Sequence, residues 1–360
     1  MEEKHYEIIG LMSGTSMDGL DIAHVKFSFF ADDNVQFKLL SSETMDFPEN
    51  LLQKLSSATS STIPSILQLD KELGVFFAKA VNEFISKNHI DKSKIQAIAS
   101  HGQTILHQPE NGFTYQIGCG SSLAFHTQIP VINDFRSRDV IAGGNGAPLV
   151  PIGDFMLFEN LATSFLNIGG FCNISFRKNS EIIAFDCCPG NLPLNKLVGS
   201  KGLSFDANGE MAASGSINFF LLDLLNSLEY YQNIGPKSLG TEWLEEKFYP
   251  LLKFDKEIEN NLCTVVEHIA YQISTILNEN NLDSVFITGG GVKNNYLISR
   301  LAHYYKGKIV VPEQDIIDFK EAIIFGLLGA LYLDKRPNNV PSVTGASQVI
   351  SGGVYHITGN

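Results

Sequence analysis

One order of apolar and turn-forming segments occurs twice in this chain, and that repeat constrains the fold more than any other feature. Residues Tyr6–Met12 are apolar, Ser13–Gly19 make a turn, Leu20–Phe27 alternate, and Phe37–Met45 closes a third strand across a turn at Ala31–Asn34. A long amphipathic helix follows. Its apolar stripe is Ile66, Leu69, Leu73, Phe76, Phe77, Ala80, Val81 and Phe84, with Pro64 suited to the first turn. The short strand Ile95–Ala99 then runs into the polar turn Ser100-His101-Gly102-Gln103-Thr104.

In the second half, Phe165–Gly170, Phe171–Phe176 and Glu181–Phe185 read as three more strands joined by turns. Helices are expected at Phe219–Leu228 and Leu262–Asn280. In the latter, Leu262, Val265, Val266, Ile269, Ile273, Ile276 and Leu277 form one apolar stripe. The strand Ser284–Thr288 runs into Gly289-Gly290-Gly291. A meander, helix and buried strand repeated at half-chain spacing predict an α/β protein of two related halves. A chain of 360 residues also suits two domains at about 150 residues each. The expected domains are 1–150, onto which the last helix of the chain could pack back, and 151–360, each a mixed sheet with flanking helices, with a site in the cleft between them. The glycine-rich stretch Asp134–Pro151 is the expected cleft loop.

Charge narrows the partners. Lys and Arg number 26 against 39 Asp and Glu, a net −13, and no basic stripe offsets it. Such a chain repels phosphate backbones and anionic membranes, so neither nucleic acid nor a membrane is the expected partner. A small molecule is, and an anionic one must be held by local dipoles or a metal. Five cysteines without a C-x-x-C spacing argue against a disulfide framework and a zinc site. No run of about 18 apolar residues suggests a membrane span, and the start lacks a basic segment leading into an apolar run. A soluble cytoplasmic protein is expected.

Three motifs carry chemistry. In Gly10–Asp21, the residues Ser13, Gly14, Thr15 and Ser16 sit at a hairpin tip, where glycines let backbone N–H groups converge on an anionic phosphate. Asp18 could orient a hydrated magnesium ion. An ordinary hairpin turn explains the same residue types equally well. The second motif, Gly289-Gly290-Gly291, lies between a buried strand and a helix, a place that suits a nucleotide. It lacks the G-K-[ST] of a P-loop and the G-x-G-x-x-G of a dinucleotide fold. In the third, Asp186 ends an apolar strand where the chain breaks into Pro189-Gly190, so its carboxylate can accept a proton during transfer or simply cap the turn. The neighbouring Cys187 and Cys188 read as buried packing residues, because adjacent cysteines bridge only with strain. Arg136 and Arg138 could clamp a carboxylate or form surface ion pairs. His101 and His107 read as loop or packing residues, and Glu321 as a first-turn acid of a helix over Ala322–Leu333.

Taken together, these segments resemble the anhydro-N-acetylmuramic acid kinases of the actin-like and sugar-kinase superfamily. The matching blocks include Gly10–Asp21, Gly102-Gln103-Thr104, Asn133–Pro151, Asn167–Ile174, Phe185–Asn191, Lys237–Gly240, Thr288–Asn294, Glu321–Gly329 and Pro341–Ala346. The resemblance implies two duplicated actin-like ATPase domains. It also implies an ATP- and Mg2+-dependent enzyme, a homodimer, that opens 1,6-anhydro-N-acetylmuramic acid with water and phosphorylates O6 in peptidoglycan recycling. Asp186 matches the family's catalytic aspartate. The phosphates would lie on Ser13, Gly14, Thr15, Ser16, Met17, Asp18 and Gly19, and the nucleotide on Gly289, Gly290 and Gly291. Gln103, Thr104, Asp134, Arg136 and Glu321 would contact the sugar. Two departures stand out: Cys187 and Cys188 replace the family's Thr-Gly, and Asn195 replaces a common aspartate. Alternatives are a kinase for another amino sugar without ring hydrolysis, or a nucleotide-binding regulator with weakened catalysis.

Overall fold

The computed structural model describes residues 3–14, 17, 19–31, 34–232 and 237–358. Its two compact units are 1–158 with 319–360, and 159–318.

The first unit begins with strands β1 (Lys4–Met12), β2 (Leu20–Phe29) and β3 (Val35–Met45), an antiparallel meander as the alternation predicts. Ile8, Ile9 and Leu11 of β1 have no exposed surface, because β1 is central and covered on both faces. Helix Ile63–Lys87 follows. Thr62 caps it by accepting from Ser65 N at 3.4 Å, and Pro64 stands in its first turn. It buries Leu69, Leu73, Phe77, Ala80, Val81 and Phe84. Strand β4 (Ala97–Ser100) then runs parallel to β1. The polar turn expected over Ser100–Thr104 is shorter than that, since Gln103 already opens the strand β5 (Gln103–Gln108), which pairs with β6 (Phe113–Ile117) as a separate ribbon. Strand β7 (Val131–Asn133) adds parallel to β4, giving the order β3-β2-β1-β4-β7.

The second unit repeats this plan. Strands β8 (Ser164–Ile168), β9 (Phe171–Lys178) and β10 (Glu181–Pro189) form an antiparallel meander. Strand β11 (Ser284–Thr288) lies parallel to β8, and β12 (Lys308–Val310) parallel to β11. The order β10-β9-β8-β11-β12 is again third, second, first, fourth, fifth. The duplication is therefore one of topology, and the fold is α/β with mixed sheets and flanking helices in each unit. Helix Ile258–Glu279 buries Leu262, Val265, Val266, Ile269, Ile273 and Leu277 in this unit's own core.

The second unit ends at residue 318, and residues 319–360 belong to the first. Helix Gln314–Leu333 takes the chain back. Small residues explain why it seats on the first sheet: a Cβ at Gly10 would lie 1.9 Å from Ala322 O, and one at Gly329 would lie 2.6 Å from Ala99 Cβ. After it, β13 (Val354–His356) pairs antiparallel with β7. Among the described residues, no helix is long and apolar enough to cross a membrane.

Candidate active site

In the first unit, β1 delivers the hairpin Ser13–Gly19. Thr15, Ser16 and Asp18 lie outside the described residues. Ser13 is buried, and its hydroxyl donates to Gln103 Oε1. Gln103 in turn donates from Nε2 to Gly14 O at 3.2 Å, so one side chain fixes the start of the turn from both sides. Met17 closes it, donating its N–H to Gly14 O at 3.2 Å with φ of 57°, a conformation costly for a side chain of its size. Gly19 has a packing reason for being glycine, because a Cβ there would meet Thr44 Cγ2 at 2.8 Å and Met45 O at 2.9 Å.

Arg136 and Glu321 join the same unit. Arg136 donates from Nε (3.2 Å) and Nη2 (3.0 Å) to His101 Nε2, and from Nη1 to Gly146 O at 2.7 Å. Burial draws its pKa down to about 10, against the opposing pull of Glu321 and Asp139. Burial likewise raises the carboxyl of Glu321 above the usual range, with Lys320 and Arg136 opposing the rise. Lys320 is itself buried and donates to Asp154 Oδ1 at 3.0 Å. Three sequence candidates are engaged elsewhere. Asp134, at φ 55°, accepts from Ser137 N (3.2 Å) and Oγ (2.6 Å) at the start of helix Ser137–Ile141. Thr104 accepts from Gln116 Nε2 at 3.3 Å. Arg138 donates to Ser351 O at 2.7 Å on the surface.

Asp139 ties this stretch to the end of the chain. It is buried, accepts from Gly146 N at 2.8 Å on Oδ2, and takes Asn339 Nδ2 and Thr344 Oγ1 at 2.8 Å each on Oδ1. Two of its partners are some two hundred residues away, so no local pattern announces it.

In the second unit, Asp186 sits at a bulge of β10, where the register with β9 shifts between Asp186 and Cys188. A bulge re-aims a side chain. Leu239 N holds the side chain, donating to Asp186 Oδ2 at 2.9 Å, while the residue's backbone is fixed by Asp186 N donating to Lys237 O at 3.0 Å and by Tyr230 Oη donating to Asp186 O at 2.7 Å. Burial raises the Asp186 pKa above 3.8, and only the Leu239 N–H opposes it. The segment 237–239 and Tyr230 thus hold the candidate aspartate in place, and neither was a candidate in the sequence. Cys187 and Cys188 have no exposed surface, and burial pushes both thiols well up, as packing residues require. In this chain the Asp186 carboxylate accepts from the Leu239 N–H. Asn195 is exposed on helix Asn191–Gly199.

Strand register exposes one further feature. Asp186 pairs with Asn173, Asn173 with Asn167, and Asn167 with Thr288, so four polar side chains cross β10, β9, β8 and β11 on one face. Thr288 Oγ1 is buried with no hydrogen-bond partner among the described residues. Beyond it, Gly289 has φ of 87°, and a Cβ there would strike Asn167 Oδ1 at 2.6 Å, while one at Gly291 would strike Ile168 Cγ2 at 2.1 Å. Gly290 differs. Its nearest neighbour would be Asn191 Nδ2 at 3.8 Å, leaving its backbone open for a ligand to approach. The described residues of each unit therefore hold one part of the predicted machinery: the hairpin, Gln103, Arg136 and Glu321 in the first, and Asp186 with Gly289, Gly290 and Gly291 in the second.

Comparison with known proteins bears on what this machinery serves. The anhydro-N-acetylmuramic acid kinase family matches residues 6–357. The chain belongs to that family. An anhydro-N-acetylmuramic acid kinase of Shewanella baltica is 39% identical over 376 residues, covering 99% of both chains. One from Haemophilus influenzae is 36% identical, covering 98% of this chain and 97% of its own. Among solved structures, the activator of 2-hydroxyisocaproyl-CoA dehydratase from Clostridium difficile with bound ADPNP covers 91% of this chain and 96% of that one. Its identity is 14% and its TM-score 0.44, an overlay too loose for residue correspondence. Family membership makes the chain a kinase, and the expected kinase motifs are those of anhydro-N-acetylmuramic acid kinases.

Proposed function

We propose that this chain opens the 1,6-anhydro bridge of 1,6-anhydro-N-acetylmuramic acid with water and phosphorylates the freed O6 from ATP, giving N-acetylmuramic acid 6-phosphate and ADP. What carries the reading is Asp186, a half-buried carboxylate re-aimed by a strand bulge in a chain that the family matches from end to end. Its raised pKa makes it a stronger base than an ordinary aspartate. Asp186 takes a proton from water as the oxygen attacks C1 of the sugar. The C1–O6 bond breaks, and O6 departs onto the γ-phosphorus, so no separate acid is needed.

Gln103, by fixing Ser13 and Gly14, supports the hairpin as the phosphate contact. Arg136 and Glu321 are assigned to the acidic sugar, with Arg136 on its lactyl carboxylate. Gln103 spends one N–H and one lone pair on the hairpin, and its second amide N–H is assigned to the sugar. Thr104 and Asp134 are assigned to shaping that pocket. The open backbone of Gly290, between Gly289 and Gly291, is assigned to the nucleotide. Magnesium would arrive on the nucleotide phosphates, where it offsets phosphoryl charge. Among the described residues no three His, Cys, Asp or Glu converge as a metal cage, a donor set that fits an ion held chiefly by phosphates and water. The assignment of Asp18 to that ion through water rests on the sequence. A homodimer and a cytoplasmic setting in peptidoglycan recycling belong to the same reading and rest on the family likeness. The test uses the anhydro sugar, ATP and oxygen-18 water. Label should appear at C1 of the product and not in its phosphate; label in free phosphate without sugar turnover would show an ATPase instead.

A further inference from the structure

His101 is a buried group that the chemistry above does not use, yet it touches two parts of the first unit's site. Arg136 donates to its Nε2 from both Nε and Nη2, at 3.2 Å and 3.0 Å. A guanidinium can only donate, so Nε2 carries no proton and the ring's one proton is on Nδ1. Nδ1 faces Ser13 O at 3.2 Å, which it meets as a donor. Both polar atoms of the ring are therefore committed. Phe325 lies against the ring with centroids 4.7 Å apart, and 6% of the residue is exposed. Burial first, and then the charge of Arg136, draw its pKa to about 3, so the imidazole stays neutral at pH 7.

The other end of Arg136 is fixed as well. Nη1 donates to Gly146 O at 2.7 Å, and Gly146 is in turn tied through its N–H to the buried Asp139 at 2.8 Å. These three bonds use three of the five guanidinium protons. One N–H on each terminal nitrogen is left over among the described residues, the number that a bidentate carboxylate contact needs.

We propose that His101 is a positioning residue: it holds the side edge of Arg136 so that the end-on pair faces the sugar's carboxylate, and it thereby sets the preference for acidic over neutral 1,6-anhydro amino sugars. The proposal rests on the assignment of Arg136 to the carboxylate. The test compares kcat/KM for the anhydro sugar carrying the lactyl acid with that for the same sugar lacking it, in wild type, Arg136→Ala, His101→Phe and His101→Gln. His101→Phe keeps the ring shape and removes both polar atoms. Gln supplies one acceptor and one donor. The acid-to-neutral ratio should fall at least about tenfold in Arg136→Ala and in His101→Phe, as loss of a charge-assisted contact implies, and should recover in His101→Gln. A ratio unchanged in Arg136→Ala would overturn the carboxylate assignment and this proposal with it. A ratio lost in Arg136→Ala but kept in His101→Phe would overturn the proposal alone. Should His101→Phe not fold, nitrogen-15 spectra of histidine-labelled wild-type protein decide: an Nδ1–H tautomer at pH 7, assigned by its loss in His101→Gln, is required, and an Nε2–H tautomer or a charged ring would overturn it.

Discussion

Asp186 shows how one residue's environment joins stability to chemistry. Burial raises its pKa above 3.8, so its folded form holds a proton at higher pH than its unfolded form. The sign follows: Asp186 withholds no stability at low pH, and its ionisation destabilises the fold as pH rises through the raised value. Asp186→Asn should therefore lower turnover by about 10²–10⁴, as loss of a general base does, while leaving the melting temperature unchanged or higher and ATP-analogue binding intact. Activity above a tenth of wild type, or a clear drop in melting temperature, would remove the base from this position. The acid limb of the wild-type pH–rate profile should also lie above the range of an ordinary aspartate. The strand-end position of Asp186 was readable in the sequence, since an apolar run ends there before Pro189-Gly190. Its partners were not. Leu239 lies fifty-three positions away. His101 read as packing for the same reason, its polar contacts being Arg136, thirty-five positions on, and Ser13, eighty-eight back.

Elements were legible where period and length were both sufficient. The two meanders and the helices Ile63–Lys87 and Ile258–Glu279 carry clear alternation or a clear apolar stripe. The three-residue strands β7 and β13 carry too few positions to show a period, and only pairing defines them. Helix Gln314–Leu333 is buried on nearly every side from Ala322 to Leu331, so its periodicity alone does not say which sheet it covers. Its small residues answer that. Gly10→Ala would drive a methyl group towards Ala322 O, which belongs to helix backbone and cannot turn aside. The expected cost is about 1–3 kcal/mol, the range for overpacking a tight core, with activity per folded molecule reduced because β1 carries the hairpin. Denaturant titration of the variant measures it, and a midpoint equal to wild type would show that helix and strand are not held at this contact.

At the scale of the whole chain, the duplicated strand order makes two units, but the chain does not cut into two at its middle. The second unit is continuous over 159–318, with five strands and its own apolar core around Ile269, Ile273 and Ile287. The first is completed only when 319–360 returns with the helix that seats on Gly10 and the strand that pairs with β7. A chain of 160 residues with a private core is within the size that folds alone. We therefore expect a fragment of residues 159–318 to fold cooperatively, with dispersed amide resonances and a single thermal transition. A fragment of residues 1–158 lacks the cover for one face of β1 and should instead expose apolar surface and melt without cooperativity. On the roles proposed above, neither fragment should turn over the anhydro sugar, since Asp186 lies in one and the hairpin with Arg136 in the other. An unfolded 159–318, or a native-like 1–158, would show that the units depend on each other for folding as well as for chemistry.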